Sequence, residues 1–275
     1  MPGAGVAAMV LAAGRGERMR PLTDTTPKPL LLVRGKPLMQ WSLEALARAG
    51  VSRIVINTAW LESRITAYFG SHIALNSPSD GRKKLSKQEQ IPIFYSCEGR
   101  DFGAALETAG GIVRALPLLC PPDTRGPQAE VFWLCAGDVF APDFEFAPSA
   151  LERFAASDKL AHLWLVPNPA HNPSGDFALV PEGEDADGVG LAIDPAAHDS
   201  RPRYTYSTIG LYRRQLFEPP WCDIACGNPH GVKAALAPLL RKAMQTGGVS
   251  AEVYHRLWVD VGSPERLQLI NGVRT

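Results

Sequence analysis

The sequence has no excess of charge of either sign: 28 Lys and Arg balance 28 Asp and Glu, for a formal charge of zero. Without a net field, nothing drives counterion release from a nucleic acid or adsorption to an acidic membrane, so neither is expected as a partner. No apolar run approaches the roughly 18 residues of a spanning helix. Met1-Pro2-Gly3-Ala4-Gly5 lacks the charged start of a secretory leader, and a cytoplasmic location is expected. Cysteine is scarce. Cys97, Cys120, Cys135, Cys222 and Cys226 are odd in number and scattered, which argues against a disulfide framework and predicts reduced, mostly buried thiols. Cys222 and Cys226 have CxxxC spacing with His230 nearby, but no second pair completes a zinc site. The 25 Gly and 24 Pro are too few among 275 residues for low-complexity disorder, and 45% hydrophobic usage is ordinary for a globular chain. The length allows one large α/β domain or two small ones.

Two nucleotide-binding motifs are also missing. There is no GxxxxGK[ST] phosphate loop, and Gly14-Arg15-Gly16-Glu17-Arg18-Met19 starts as a dinucleotide fingerprint but places Met19 where the third glycine belongs. What is present is an apolar run, Val6 to Leu11, entering a Gly-rich turn. A Pro- and Thr-rich loop (Pro21 to Pro29) follows, then a helix after Pro37 with Leu38, Trp41, Ala45 and Leu46 on one face, closed by Gly50. Ile54-Val55-Ile56 reads as the next buried strand, and strand, helix, strand favours a parallel sheet with a right-handed crossover. A helix from Leu61 to Gly70, strands over Ile91 to Tyr95, Val131 to Cys135 and His162 to Val166, and a helix from Thr108 to Leu119 continue the pattern. Residues 76–90 are polar and turn-rich and read as a solvated loop. From about residue 167 the alternation fades into short strands such as Phe177 to Val180 and Tyr204 to Tyr212, as expected of an extension built onto the first half. The aromatics Trp41, Trp60, Tyr204, Tyr206 and Tyr212 read as packing residues, and His162 as structural.

Arg15, Arg18, Arg20 and Lys28 crowd the carboxyl end of the first strand, where open α/β sheets place ligands. Backbone amides of a Gly-rich turn can approach phosphate oxygens closely, while Arg offers paired donors and Lys a compact charge. A strand and helix joined by a turn with surface arginines is the competing interpretation. Asp138 ends a strand expected to be buried on both faces, and Asp260 is an acid within an apolar strand, costly unless paired or metal-bound. Asp138 could instead cap the following turn, and Asp260 could pair with a core arginine.

Leu11-Ala12-Ala13-Gly14-Arg15-Gly16-Glu17-Arg18-Met19-Arg20-Pro21-Leu22-Thr23, continued by Pro27-Lys28-Pro29-Leu30, closely resembles the signature of sugar-1-phosphate nucleotidyltransferases. Leu106-Glu107-Thr108-Ala109-Gly110-Gly111, Ala136-Gly137-Asp138, Ser174-Gly175-Asp176-Phe177 and Trp258-Val259-Asp260-Val261-Gly262 follow in that family's order, covering nearly the whole chain. The resemblance is nearest to the branch that couples UTP to N-acetylmuramate 1-phosphate in cell-wall sugar recycling. It implies a Rossmann-like, GT-A-like mixed and mostly parallel sheet flanked by helices. Residues 1–166 would form the nucleotide-binding half and 167–275 a smaller sugar-binding half of one domain.

By the same resemblance, Asp138 and Asp260 hold Mg²⁺, Arg18 steadies the departing β/γ phosphates, and Lys28 contacts the phosphates at the reacting end. Leu11, Ala13, Gly14, Gly16 and Glu17 line the nucleotide turn, while Glu107, Thr108 and Ala109 read the base. Thr108 is also a candidate helix cap. Gly175 and Asp176 meet the sugar, although Gly175 could equally serve a tight turn. The implied substrates are an NTP, expected to be UTP, and a sugar 1-phosphate, with no protein partner implied. A phosphate monoester with a second pKa of about 6 is already largely dianionic at neutral pH, so no strong general base is required.

The chain departs from its relatives at Ala136, where they carry Asn, and at Ala109, where a third glycine is usual. The Thr-Ala-Gly-Gly string also resembles mannose-1-phosphate guanylyltransferases, leaving GTP as an alternative. Four extra residues around Asp101 to Ala104, together with the loop at 76–90, are expected to enlarge the region beside the base pocket. A nucleotide-sensing module of the same fold remains the non-enzymatic alternative, against which stand Arg18, Lys28, Asp138 and Asp260 together.

Overall fold

The computed structural model describes residues 5–74, 90–123, 126, 128–181, 188–196 and 198–272. The polar segment 76–90 therefore lies outside the described residues except for Gln90, which opens a strand. The chain runs β1 (Ala7–Ala12), α1 (Leu22–Thr25), β2 (Leu32–Val33), β3 (Lys36–Pro37), α2 (Leu38–Arg48), β4 (Arg53–Thr58), α3 (Glu62–Phe69), β5 (His72–Ala74) and β6 (Gln90–Cys97). It continues through α4 (Glu98–Phe102), α5 (Glu107–Leu119), β7 (Val131–Ala136), β8 (Val139–Phe140), α6 (Pro148–Ala156) and β9 (Ala161–Val166). The last third holds β10 (Phe177–Pro181), β11 (Gly190–Ile193), β12 (Arg203–Arg213), α7 (Leu236–Met244), β13 (Val249–Val253), β14 (Val259–Asp260) and α8 (Pro264–Ile270).

Ten strands form one mixed sheet in the order β10-β11-β13-β9-β12-β7-β1-β4-β6-β5. β7, β1, β4 and β6 run parallel, and β12 inserts antiparallel between β7 and β9. Of these, β1, β4 and β7 are buried on both faces, as their continuous apolar runs require. Side chains alternate between two cores. Met9, Val55, Phe132 and Leu134 pack with Ile112, Leu116 and Leu240, whereas Val10, Ile54, Ile56 and Trp133 pack with Leu43, Leu46 and Phe154. α5 and α7 thus cover one face, and α2 and α6 the other.

Some expectations need correcting. The Pro- and Thr-rich loop is largely short helical turns: α1 is flanked by 3-10 turns at Glu17–Met19 and Lys28–Leu30, whose backbone bonds close on Gly16, Pro21 and Pro27. Asp260 does not lie in a core strand. Its strand is a two-residue ribbon pairing Asp260 with Val139 and Val259 with Phe140, so the carboxylate is only half-buried. Of the extra residues, Asp101 and Phe102 end α4, and Gly103 follows it in a left-handed turn. Asp101 pairs with Arg100 and Arg114, and the Phe102 ring lies under Arg114 and against Gly231. His162 is buried in β9 with Nδ1 on Ser250 Oγ at 2.9 Å, a structural position. Among the described residues no helix is long and apolar enough to cross a membrane.

Candidate active site

β1 runs through the buried Ala12 and Ala13 into the Gly-rich turn. Gly16 adopts φ 70°, and a Cβ at that position would lie 3.0 Å from Thr23, whose hydroxyl donates to the Gly16 carbonyl at 2.8 Å. This turn forms one wall of a cavity of about 300 Å³ lined by Leu11, Ala13, Gly14, Lys28, Glu107, Thr108 and Asp138, with Asn57, Ala105, Ala136 and Thr208 among the remaining residues. A second cavity of about 520 Å³ shares Leu11, Glu107, Thr108 and Thr208 with the first and adds Asp176, Phe177, Tyr206 and the α7 residues Leu236, Ala237, Leu240 and Arg241.

The charged end is compact. β8 and β14 pair, and the Val261 amide donates to the Asp138 carbonyl, which brings two aspartates distant in sequence onto adjacent strands. Lys28 Nζ donates to Asp138 Oδ2 at 2.5 Å and lies 3.9 Å from Asp260 Oδ1. Arg266 contacts Asp260 Oδ2 at 3.1 Å, with His171 Nε2 3.4 Å from the same oxygen. Asp260 is therefore paired with an arginine, as the competing interpretation allowed, and also with Lys28. Gly262 makes room for the Arg266 contact, since a Cβ there would sit 2.3 Å from the Arg266 guanidinium. Burial and the nearby Arg266 charge hold the His171 imidazole below its ordinary range. Asp138 and Asp260 each keep Oδ1 outside any hydrogen bond among the described residues. Mg²⁺ takes hard oxygen ligands, usually one or two carboxylates plus substrate phosphates, and this pair fits that donor set.

Some expected residues lie outside both cavity walls. Ala109 is fully buried behind the wall, with its amide donating to the Ala234 carbonyl at 2.8 Å. The same carbonyl accepts from Gly110, so the first turn of α5 is capped by backbone, and Thr108 makes no side-chain cap. Gly175 has φ 63° and packs against Asn168 and Arg203, a tight turn that supports Asp176 from behind. The Asp176 carboxylate accepts from the Tyr206 amide at 2.8 Å and from Asn172 at 3.2 Å. Gly16, Glu17 and Arg18 form the rim. Arg18 is exposed and, among the described residues, in no ion pair, while Glu17 pairs with Arg15 at 3.2 Å. Arg15 stacks on Trp60 at 3.5 Å, so Trp60 serves as a platform as well as a packing residue. Arg20 is exposed and bound to Asp24 at 2.8 Å.

Sequence reasoning missed the polar support beneath the first cavity. Asn57 accepts from the Ala12 amide at 2.9 Å and donates to Glu98 at 2.7 Å, and Glu98 accepts from the Leu106 amide at 2.7 Å. The network ties the end of β1 to the residue before Glu107. Burial pushes the Glu98 carboxyl up, while the bonds from Leu106 and Asn57 pull it down. Gly111 is small because a Cβ there would lie 2.6 Å from Glu98, and Gly110 because one would lie 2.5 Å from the Val232 carbonyl. Both glycines of the Thr-Ala-Gly-Gly string thus serve close approach. An amide ending the apolar run Ile54-Val55-Ile56-Asn57 was a usable signal. Thr208 was not foreseeable. A bulge between Tyr206 and Ile209 turns it into the cavity at φ 61°, opposite Glu107 at φ 59°.

The chain matches known proteins along nearly its whole length. The family description "Nucleotidyl transferase" matches residues 7–272. N-acetylmuramate alpha-1-phosphate uridylyltransferase of Neisseria meningitidis serogroup B is 41% identical over 266 residues, 95% of this chain and 95% of that protein. UTP--glucose-1-phosphate uridylyltransferase of a Synechocystis strain is 37% identical over 274 residues, covering 97% of this chain and 63% of that one. An apo UDP-glucose pyrophosphorylase superposes with TM-score 0.69 at 17% identity, covering 97% of both chains. An inositol-1-phosphate CTP transferase from T. maritima superposes at 0.62 and 18%, over 99% of this chain and 98% of that one. The fold is the one these transferases share, and with a match running from the first strand to the last helix the chain belongs to the nucleotidyl transferase family.

Proposed function

We propose that the protein transfers UMP from UTP to N-acetylmuramate 1-phosphate in the cytoplasm, releasing pyrophosphate, in the recycling of cell-wall sugars. The observation that carries this is Lys28, held between Asp138 and Asp260 at the end of the cavity walled by the β1 turn. The choice of substrates rests on the Neisseria relative, which aligns over nearly the full length of both chains.

The two cavities suit the two substrates. The nucleotide would occupy the first, lined mainly by residues before 139, and the sugar the second, lined largely by residues between 176 and 241. The phosphate oxygen of the sugar ester attacks the α-phosphorus in line, and pyrophosphate leaves. An anion must approach an anionic phosphorus, so the rate comes from fixed positive charge and orientation. Lys28 supplies that charge at the reacting end, while Arg18, exposed and among the described residues in no ion pair, would follow the β/γ phosphates. Asp138 and Asp260 would hold Mg²⁺, which when bound neutralises phosphate charge. Backbone at Leu11, Ala13, Gly14, Gly16 and Glu17 shapes the turn. Glu107 and Thr108 face the base, with Ala109 fixing their backbone, and Asp176, backed by Gly175, faces the sugar.

The test is pyrophosphate release over four NTPs and several sugar 1-phosphates, with and without chelator. UTP with N-acetylmuramate 1-phosphate should be fastest, GTP second, and EDTA should abolish turnover until Mg²⁺ is restored. A clear ATP or dTTP preference, or full activity in chelator, would overturn this assignment. Binding of nucleotide without pyrophosphate release would favour a sensor.

A further inference from the structure

The second cavity has an apolar lining, including Leu134, Phe177, Leu236 and Leu240, yet one cation, Arg241, stands in its wall. Arg241 lies one helical turn beyond Ala237 on α7, and both side chains therefore face the cavity. Its Nε is held by Asp194 Oδ2 at 2.9 Å. That ion pair, between two partly exposed side chains, keeps the guanidinium beside the cavity. The planar, paired donors of a guanidinium suit a planar oxyanion entering the cavity.

Of the other charged residues in this wall, the Asp176 carboxylate is committed to Tyr206 and Asn172, and Glu107 stands at the junction with the first cavity, to which Lys28 belongs. The cavities meet at Leu11, Glu107, Thr108 and Thr208, so a sugar ester lying across that junction directs its phosphate towards Lys28 and the far side of its ring towards α7. An anion reaching Arg241 is then a second negative charge, carried by the sugar itself. Resting on the functional reading above, we propose that Arg241 is a specificity residue that recognises a carboxylate on the sugar, making an acidic sugar 1-phosphate the preferred substrate class. N-acetylmuramate 1-phosphate bears such a group on its lactyl ether, whose methyl suits the leucine-lined wall.

The experiment compares N-acetylmuramate 1-phosphate with N-acetylglucosamine 1-phosphate, which lacks the lactyl carboxylate, each with UTP in the wild-type chain and in Arg241→Gln and Arg241→Lys. The glucosamine ester is read as substrate or as competitive inhibitor. Losing a charge-assisted fork should cost the muramate ester about 10- to 100-fold in relative affinity over the glucosamine ester, appearing in KM rather than kcat. Arg241→Lys, which keeps the charge and loses the fork, should fall between. An equal response of both esters, or no change in their ratio, would overturn the Arg241 assignment alone. Should Arg241→Gln fail to fold, the lysine variant decides by the same ratio. A wild-type chain inactive on both esters would overturn the functional reading, and the Arg241 proposal with it.

Discussion

Replacing Glu98 by alanine tests whether the buried polar support beneath the nucleotide cavity acts as described. Glu98 has 0% exposure and accepts from the Asn57 amide group and the Leu106 amide, both at 2.7 Å. Without it both donors are buried and unpaired, at about 1–3 kcal/mol each. Relief from burying a carboxylate offsets part of this, leaving a net loss of roughly 2–4 kcal/mol. The same change frees Asn57 from one of its two anchors and releases the backbone before Glu107, so kcat/KM for UTP should fall by about 10-fold or more. Urea denaturation gives the first number and steady-state pyrophosphate release the second. Glu98→Gln should be intermediate, since its amide oxygen can still accept one of the two bonds. Stability within about 0.5 kcal/mol of wild type together with unchanged kcat/KM in Glu98→Ala would refute the argument.

Arg18→Ala removes a rim cation that, among the described residues, has no ion pair to lose, so the fold should persist while turnover falls by about 10²; unaltered turnover would remove Arg18 from the phosphate site. His162 is held neutral to about pH 3 by burial and by the nearby Arg153 charge, against 6.5 when unfolded. The unfolded chain therefore binds the proton first, and stability is complete above about pH 6.5 and declines towards pH 3. At pH 5 the His162 contribution is a loss of about 2 kcal/mol relative to pH 7. Urea midpoints of wild type and His162→Gln across that range should show the slope in the former and its reduction in the latter, and parallel curves would contradict it.

The sequence was most legible where one periodicity repeats. β1, β4 and β7 are buried on both faces, and their apolar runs declared it. The glycine turn and Lys28 were legible because their residue types are chemically specific. What was hidden depends on packing between distant segments. Asp260 read as an acid inside an apolar strand because Trp258 to Val261 is apolar, whereas only the pairing with β8 fixes its half-buried place beside Lys28. Glu98 lay within the polar stretch after β6 and gave no sign that Asn57 would meet it. Thr208 reaches the cavity through a bulge that depends on Ser207, whose hydroxyl donates to the Trp164 carbonyl and accepts from the Ile209 amide. The Thr108 cap was a sound local expectation overridden by the Ala234 carbonyl, 126 positions away in the chain.

The charge arrangement around Lys28 is the centre of the account, and turnover of Lys28→Met measures it most directly. Wild type and variant, shown by circular dichroism to be equally folded, would be compared for pyrophosphate release from UTP with N-acetylmuramate 1-phosphate at saturating Mg²⁺. Removing the cation beside Asp138 and Asp260 should lower kcat by about 10²–10³. A variant that turns over within threefold of wild type would contradict the account.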